Sequence, residues 1–133
     1  MTFGRILLAA AAALTIGVGA AQAERIFSPE GTWVTNCGES KYQIDLCGKR
    51  GDAICAKMVW ADDSQLGQRL KQYVGKSDVL EVPRIANQTW RGKLEWQGHV
   101  VRGTIDLTDE DNIHIKGCNG AVCQTVELIR VGK

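Results

Sequence analysis

The stretch from Tyr42 to Trp60 constrains the fold more than any other part of this sequence, because a hydrophobic pattern and a cysteine pair coincide in it. Apolar and polar residues alternate along two short segments, as expected of two half-buried strands. The two apolar rows are Tyr42, Ile44 and Leu46, then Ile54, Ala56, Met58 and Trp60. Aligning Tyr42 with Trp60 in an antiparallel hairpin places Cys47 directly opposite Cys55, at a separation that a disulfide can bridge. The sequence therefore predicts a disulfide-linked hairpin.

Six further segments show the same alternation and are separated by turn residues. With the central hairpin they make eight strands, at residues 31–35, 42–47, 54–60, 79–85, 89–96, 99–107, 113–117 and 124–131. Pro83 confines its strand to an edge or a bulge. Short strands at regular spacing are typical of an all-β domain, and here they predict an up-and-down antiparallel barrel of about eight strands.

Between the third and fourth strands the apolar spacing changes to that of a helix. One face of residues 62–75 carries Leu66, Leu70, Tyr73 and Val74, which predicts a short amphipathic helix. Asp63 or Ser64 is placed to cap its start, and Gly75 to end it. Gly67 lowers the helix propensity by about 1 kcal/mol relative to alanine, so an irregular loop is the alternative.

Matching the apolar faces of the later strands fixes their registers. The expected pairs are Leu94 with Val101, Ile105 with Ile115, Ile113 with Leu128, and Ile115 with Val126. In these registers Cys118 lies opposite Cys123, so a second disulfide is expected to clip a hairpin. Each short loop closure contributes roughly 2–3 kcal/mol of stability.

The same registers align Gly92, Gly103 and Gly117 across three neighbouring strands on the inner face. Glycine at these positions lets a sheet coil sharply, as a closing barrel requires. The missing side chains also predict a hollow, flanked by Trp90 and Trp96, in which a ligand would fill the space. The two interpretations are compatible, because a curved sheet around a hollow is what a ligand-holding barrel needs.

The first 23 residues have the features of a cleavable export signal. Arg5 is followed by an apolar run over residues 6–19 and by the small-residue site Ala21-Gln22-Ala23. A membrane anchor is the alternative, but the run is short and lacks a charged stop. We expect a mature chain that begins at Glu24, forms one domain over residues 24–133 and resides in the periplasm without a stable membrane anchor.

Charge and cysteine content narrow the choice of partners. Without Arg5, 15 of the 16 Lys and Arg residues remain against 15 Asp and Glu, a balance that argues against nucleic acid. Five cysteines in an exported chain predict disulfides rather than a zinc site. Cys37 is left over on a turn, as a free thiol or in an intermolecular disulfide that would make a dimer. His99 and His114 are expected on different strands, so neither a metal nor a cofactor is predicted.

Several of these motifs together resemble the bacterial family called domain of unknown function 2147. The matching features are Gly31-x-Trp33, the strand from Tyr42 to Cys47, Cys55, Trp60, Trp90-x-Gly92 and Arg130-Val131. The resemblance implies an exported, lipocalin-like barrel without established chemistry. In lipocalins a Gly-x-Trp on the first strand packs beneath an arginine near the last one. Trp33 and Arg130 match those positions, which implies a structural pair that closes one barrel end by cation–π stacking.

The leading functional hypothesis is a periplasmic lipocalin-like carrier of a small apolar or amphipathic molecule. The expected lining consists of Tyr42, Met58, Trp60, Trp90, Leu94 and Trp96. The alternative is a protein-binding module, such as an inhibitor of lysozymes or proteases, that acts through the exposed turns at residues 49–52 and 108–112. An enzyme is not predicted, because no recognisable nucleophile, base or metal-ligand motif is present.

Overall fold

The computed structural model describes residues 26–96 and 98–132, with the exception of the Trp96 side chain. The predicted export signal and the predicted start at Glu24 lie outside the described residues. The strands are β1 (Gly31–Thr35), β2 (Ser40–Cys47), β3 (Ala53–Ala61), β4 (Ser77–Val82), β5 (Arg84–Ala86), β6 (Thr89–Trp96), β7 (His99–Asp109), β8 (Asn112–Asn119) and β9 (Val122–Gly132). Helix α1 (Gln65–Leu70) and a 3-10 turn (Lys71–Tyr73) lie between β3 and β4.

The nine strands of the described region form one antiparallel sheet in the order β4-β3-β2-β1-β9-β8-β7-β6-β5. The sheet curls until its edges meet, where the Arg91 amide donates a hydrogen bond to the Pro83 carbonyl at 3.1 Å. The result is a nearly closed barrel, which confirms the predicted all-β architecture with a short helix between the third and fourth strands. Pro83 separates β4 from β5 because it has no amide hydrogen to continue the ladder, so nine strands replace the expected eight.

The two ends of this barrel differ, and we name them by their surroundings. The closed end is where β1 and β3 begin, and it carries the arm of residues 26–30 and the turns at residues 48–52 and 110–111. The open end is where β1 and β3 finish, and it carries the turn at residues 36–39, helix α1 and the turn at residues 120–121. Alternating strand directions assign every turn to one end or the other.

The central hairpin forms, but its predicted register is wrong by two residues. Tyr42 faces Met58 rather than Trp60, and a bulge between Lys41 and Tyr42 places Trp60 opposite Lys41. The two-residue difference runs unchanged from Tyr42 to Cys47, so it arises at the turn, whereas the bulge leaves Val59 as an extra residue that alternation alone does not reveal. The Cys47–Cys55 disulfide is nevertheless present, because the two cysteines are diagonal neighbours on the same face rather than directly opposed.

The registers predicted for β6 to β9 are confirmed. Leu94 pairs with Val101, Ile105 with Ile115, Ile113 with Leu128, and Ile115 with Val126. Cys118 faces Cys123, and a disulfide joins them as predicted. Gly92, Gly103 and Gly117 align across β6, β7 and β8. The register shift between Leu107 and Asp109 lies beyond these pairs, so regular two-residue alternation made their registers readable from the sequence.

Helix α1 is shorter than predicted, and the apolar face expected for this segment is only partly buried. Ser64 caps it, since the Ser64 hydroxyl accepts a hydrogen bond from the Gly67 amide at 3.0 Å. Leu70 is buried, but Leu66 and Val74 are each 38% exposed. A Cβ at Gly67 would lie 2.2 Å from the carbonyl oxygen of Asp62. Glycine therefore permits the close approach that folds the helix back onto the end of β3.

The core is concentrated towards the closed end. Its fully buried members include Trp33, Ile44, Ile54, Ile105, Ile113 and Val82. A second, smaller cluster joins Met58, Ala61 and Leu70 beneath the helix at the open end. Among the described residues, no helix is long and apolar enough to span a bilayer.

Candidate ligand-binding site

Trp33 and Arg130 seal the closed end. They are direct neighbours across β1 and β9, and the Arg130 guanidinium lies 4.3 Å from the centre of the Trp33 ring. Arg130 also donates hydrogen bonds to the backbone carbonyls of Glu110, Glu30 and Ser28 at 2.8, 2.6 and 2.7 Å. The guanidinium thus joins the N-terminal arm to the β7–β8 turn across the barrel mouth. The contact predicted between these two side chains is confirmed.

Trp90 belongs to the same sealed half of the barrel. It faces inward as predicted and is 3% exposed, and its indole nitrogen donates to the Asp52 carbonyl at 2.7 Å. Phe27 of the arm packs against the same core cluster. Trp90 therefore anchors the β2–β3 turn to the barrel wall and does not line the cleft described next.

An apolar cleft occupies the interior towards the open end. It has a volume of about 130 Å³ and is partly open to solvent. Tyr42, Met58 and Leu94 line it, as the sequence predicted. Its remaining apolar walls come from Ile44, Ile54, Ala56, Val79, Ile105, Ile115, Val126 and Leu128, and Leu66, Leu70 and Tyr73 of the helical segment lie at its mouth.

The aligned glycines do not form this cleft. A Cβ at Gly103 would lie 2.2 Å from Leu94 Cδ1, and one at Gly92 would lie 3.3 Å from Pro83 Cδ. Side chains of the barrel itself therefore occupy the space over these two glycines, so the predicted hollow does not lie over them. Gly92 instead lets the Pro83 corner approach β6, where the barrel edges meet. Gly117 alone of the three borders empty space, in a side chamber that shares Leu94, Ile115 and Val126 with the cleft.

Trp60 is on the outer surface, so the prediction that it faces inward is wrong. It is 42% exposed, and the Lys41 ammonium lies 4.8 Å from the centre of its ring. Because of the bulge at Lys41 and Tyr42, Trp60 at the end of β3 faces the opposite side of the sheet from the one predicted. The side chain of Trp96 lies outside the described residues, so its predicted place in the lining stays a prediction.

Polar side chains gather where the cleft meets the turn between β1 and β2. Thr35 is 4% and Ser40 1% exposed, and Glu39 lies between them in the chain. Neither Thr35 Oγ1 nor Glu39 Oε2 has a hydrogen-bond partner among the described residues, although both atoms are buried. Buried polar atoms are nearly always paired in native proteins, so these two mark a place that differs from the rest of the core.

Two ionisable groups in the cleft have shifted pKa values. Burial raises the pKa of Tyr42 to about 12, and the nearby carboxylates of Asp78 and Glu39 act in the same direction against a hydrogen bond with Ser40. Burial raises the pKa of Asp78 to about 6, with a further contribution from the negative charge of Glu95. The Tyr42 hydroxyl is therefore neutral at pH 7, whereas Asp78 is mostly ionised beside another carboxylate.

The other residues singled out in the sequence lie away from the cleft or at its rim. His99 is exposed and borders the side chamber, whereas His114 is on the outer face of β8, with its Nε2 3.2 Å from Glu127. Cys37 is an exposed free thiol at the open end. In the described part of the chain, no three His, Cys, Asp or Glu side chains are arranged to hold a metal ion.

Sequence reasoning missed the polar members of the site. Ser40 could have been predicted, because it continues the inward alternation of Tyr42 and Ile44 by one step. Asp78 and Glu95 could not have been predicted, because they line the cleft where β4 and β6 face each other without hydrogen-bonded pairing. Glu81 has a positive φ of 48° in β4, and the irregular register there hides the inward face of that strand from an alternation argument.

No protein-family model, curated protein or solved structure matches this chain. The resemblance to the family of unknown function therefore stays a prediction.

Proposed function

We propose that this chain is an exported, periplasmic binding protein that holds a small apolar or amphipathic molecule in the cleft at the open end. One observation carries the proposal: the interior is packed and sealed at one end of the barrel and left as an apolar cleft at the other. An interior that served only stability would be filled, because an unfilled apolar cavity costs about 24 cal/mol for each Å³.

The walls of the cleft support reversible binding. They are mostly aliphatic, and the carboxylates Glu39, Asp78 and Glu95 lie near the strand ends at the open end of the barrel, a composition that suits a small-molecule site. Met58 is an unbranched side chain that adapts to the shape of a guest. Helix α1 lies at the mouth and buries little beyond Leu70, so it can move aside without opening the main core.

The proposal includes location and excludes catalysis. The two disulfides agree with an oxidising compartment such as the periplasm, and the exposed Cys37 at the open end is available for an intermolecular disulfide that forms a dimer. We propose binding rather than a reaction, because the described walls of the cleft are mostly aliphatic.

The test is binding of a neutral fluorescent probe, N-phenyl-1-naphthylamine, to residues 24–133. We expect its emission to rise and shift to shorter wavelength on saturable binding, because the dye leaves water for an apolar site. Val126→Trp places a large ring in the cleft and should abolish the signal. The matched control, Thr125→Trp, changes the neighbouring exposed residue of β9 and should leave binding unchanged. No saturable signal, or equal binding by both variants, would contradict the proposal.

Protein binding through exposed turns is the second candidate. Residues 49–52 and 108–112 lie at the same end of the barrel, and Lys49, Arg50 and Gly51 are exposed on a turn held by the Cys47–Cys55 disulfide. A rigid turn of this kind suits an inhibitor. Such a function would survive Val126→Trp and be lost with Lys49→Ala and Arg50→Ala, the reverse of what a carrier should show.

A further inference from the structure

The charged groups around the cleft are of one sign. Its lining includes the carboxylates Glu39, Asp78 and Glu95, and no Lys, Arg or His is among the described lining residues. Lipid-binding barrels that hold an anionic head group need a cation or several donors to receive it. A carboxylate guest in this cleft would meet like charges instead, at a cost that partial burial increases.

Two buried oxygen atoms belong to residues that line the cleft and lack a hydrogen-bond partner among the described residues. Thr35 is 4% exposed, and neither its Oγ1 nor the buried Glu39 Oε2 has a partner in the part of the chain that the structure describes. A carboxylate oxygen of an ionised glutamate only accepts hydrogen bonds, so its missing partner has to be a donor. The two residues flank the β1–β2 turn and both line the cleft. A guest with N–H groups would satisfy acceptors that the chain leaves unpaired.

We infer that the ligand is an amphipathic cation, a molecule with an aliphatic body and a protonated amine that lies between Glu39, Asp78 and Glu95. This inference rests on the proposed function and adds the chemical class of the ligand. The aliphatic body occupies the walls from Ile44 to Leu128, and the ammonium group donates to Glu39 Oε2. The Thr35 hydroxyl, which both donates and accepts, completes the polar side of the cleft.

A bound cation would also reduce the repulsion between two carboxylates where the edges of the barrel meet. Asp78 and Glu95 repel each other where β4 and β6 face each other without a ladder. A bound cation reduces that repulsion, because it interacts favourably with both carboxylates. The empty cleft therefore carries an electrostatic preference for a positive guest before any ligand arrives.

The experiment compares three ligands of equal chain length: octylamine, octanol and octanoate. Each is titrated at pH 7 against wild-type protein loaded with the neutral naphthylamine probe, and displacement is measured. Octylamine is protonated at this pH, as a lysine side chain is. We expect octylamine to bind about tenfold more tightly than octanoate, with octanol between them.

Two variants locate the preference. The double substitution Glu39→Gln and Asp78→Asn keeps side-chain size and should bring the three ligands close to equal affinity. Asp45→Asn removes an exposed carboxylate of β2 near the closed end and should leave the preference intact. Equal displacement by all three ligands, tighter binding of octanoate, or a preference that survives the double substitution would overturn the inference while probe binding upholds the proposed function. Absence of probe binding to the wild type would overturn both.

Discussion

The two ends of the barrel treat their polar groups in opposite ways. At the closed end the indole nitrogens of Trp33 and Trp90 each donate to a backbone carbonyl, at 2.9 and 2.7 Å. Arg130 donates to three more carbonyls. At the open end, Thr35 Oγ1 and Glu39 Oε2 are buried without a partner among residues 26–96 and 98–132. The chain therefore pairs these polar groups by its own hydrogen bonds at the closed end, and leaves two described oxygen atoms unpaired at the open end.

Strand β1 contains both situations within two residues. Trp33 and Thr35 are both inward and both buried, but the first is fully hydrogen-bonded and stacked by Arg130, whereas the second has an orphan hydroxyl. An unpaired buried polar group costs about 1–3 kcal/mol. Under the proposed function, a ligand supplies the hydrogen-bond partner that Thr35 lacks among the described residues.

The largest loss of stability is expected for Arg130→Ala, at the closed end. The variant loses the contact with Trp33 and three hydrogen bonds that join the arm to the β7–β8 turn, so we expect a loss of about 3 kcal/mol in the free energy of unfolding. The melting temperature should fall by about 10 °C or more, as measured by circular dichroism.

Arg130→Lys is the matched control for that experiment. It retains a cation over the ring but not the planar guanidinium that reaches several carbonyls, and it should recover part of the loss. Affinity for the naphthylamine probe should be unchanged in both variants at temperatures where they are folded. An unchanged melting temperature in Arg130→Ala would show that the closed end does not depend on this residue.

A smaller effect is expected at the open end, where Asp78→Asn should stabilise the protein. Because its pKa is raised to about 6 in the fold, Asp78 binds its proton more tightly folded than unfolded, and wild-type stability falls as pH rises through this range. The shift is discounted because the carboxyl is partly solvated, so we expect about 1 kcal/mol in favour of the variant at pH 7.

The pH dependence of that difference is the more specific measurement. Below about pH 3 the wild-type carboxyl is protonated in both states, so urea unfolding curves of Asp78→Asn and the wild type should converge. Asp45→Asn, an exposed substitution near the closed end, should change stability by less than about 0.5 kcal/mol. A gap of constant size from pH 4 to pH 7 would contradict the proposed origin in Asp78 ionisation.

Much of the architecture was predictable from the sequence because much of it repeats with a period of two. The strands from β6 to β9, their registers and the Cys118–Cys123 disulfide follow from alternation alone. The contact of Trp33 with Arg130 follows from adjacency of the first and last strands. In the regular parts of these ladders, one correct pair determines its neighbours.

The candidate site was less predictable because it lies where the ladders are irregular. The bulge at Lys41 and Tyr42 turned Trp60 outward, and the irregular β4 brought Asp78 to the cleft. Whether a glycine borders a hollow or a neighbouring side chain also depends on the third dimension, as Leu94 over Gly103 illustrates. A sequence pattern specifies which residues share a face, but not which space on that face remains unfilled.

The smallest loss of stability is expected for Trp60→Ala, a substitution that tests which face of β3 lines the cleft. Trp60 is 42% exposed and contacts Lys41 across the outer surface, so its removal should cost no more than about 1 kcal/mol and leave probe affinity unchanged. Met58, two residues earlier on the buried face and 2% exposed, is the matched control. Met58→Ala should cost about 2 kcal/mol or more and alter probe affinity, since Met58 lines the cleft. If Trp60→Ala weakened probe binding as much as Met58→Ala, the tryptophan would face inward in solution and the bulge that separates the two faces would be refuted.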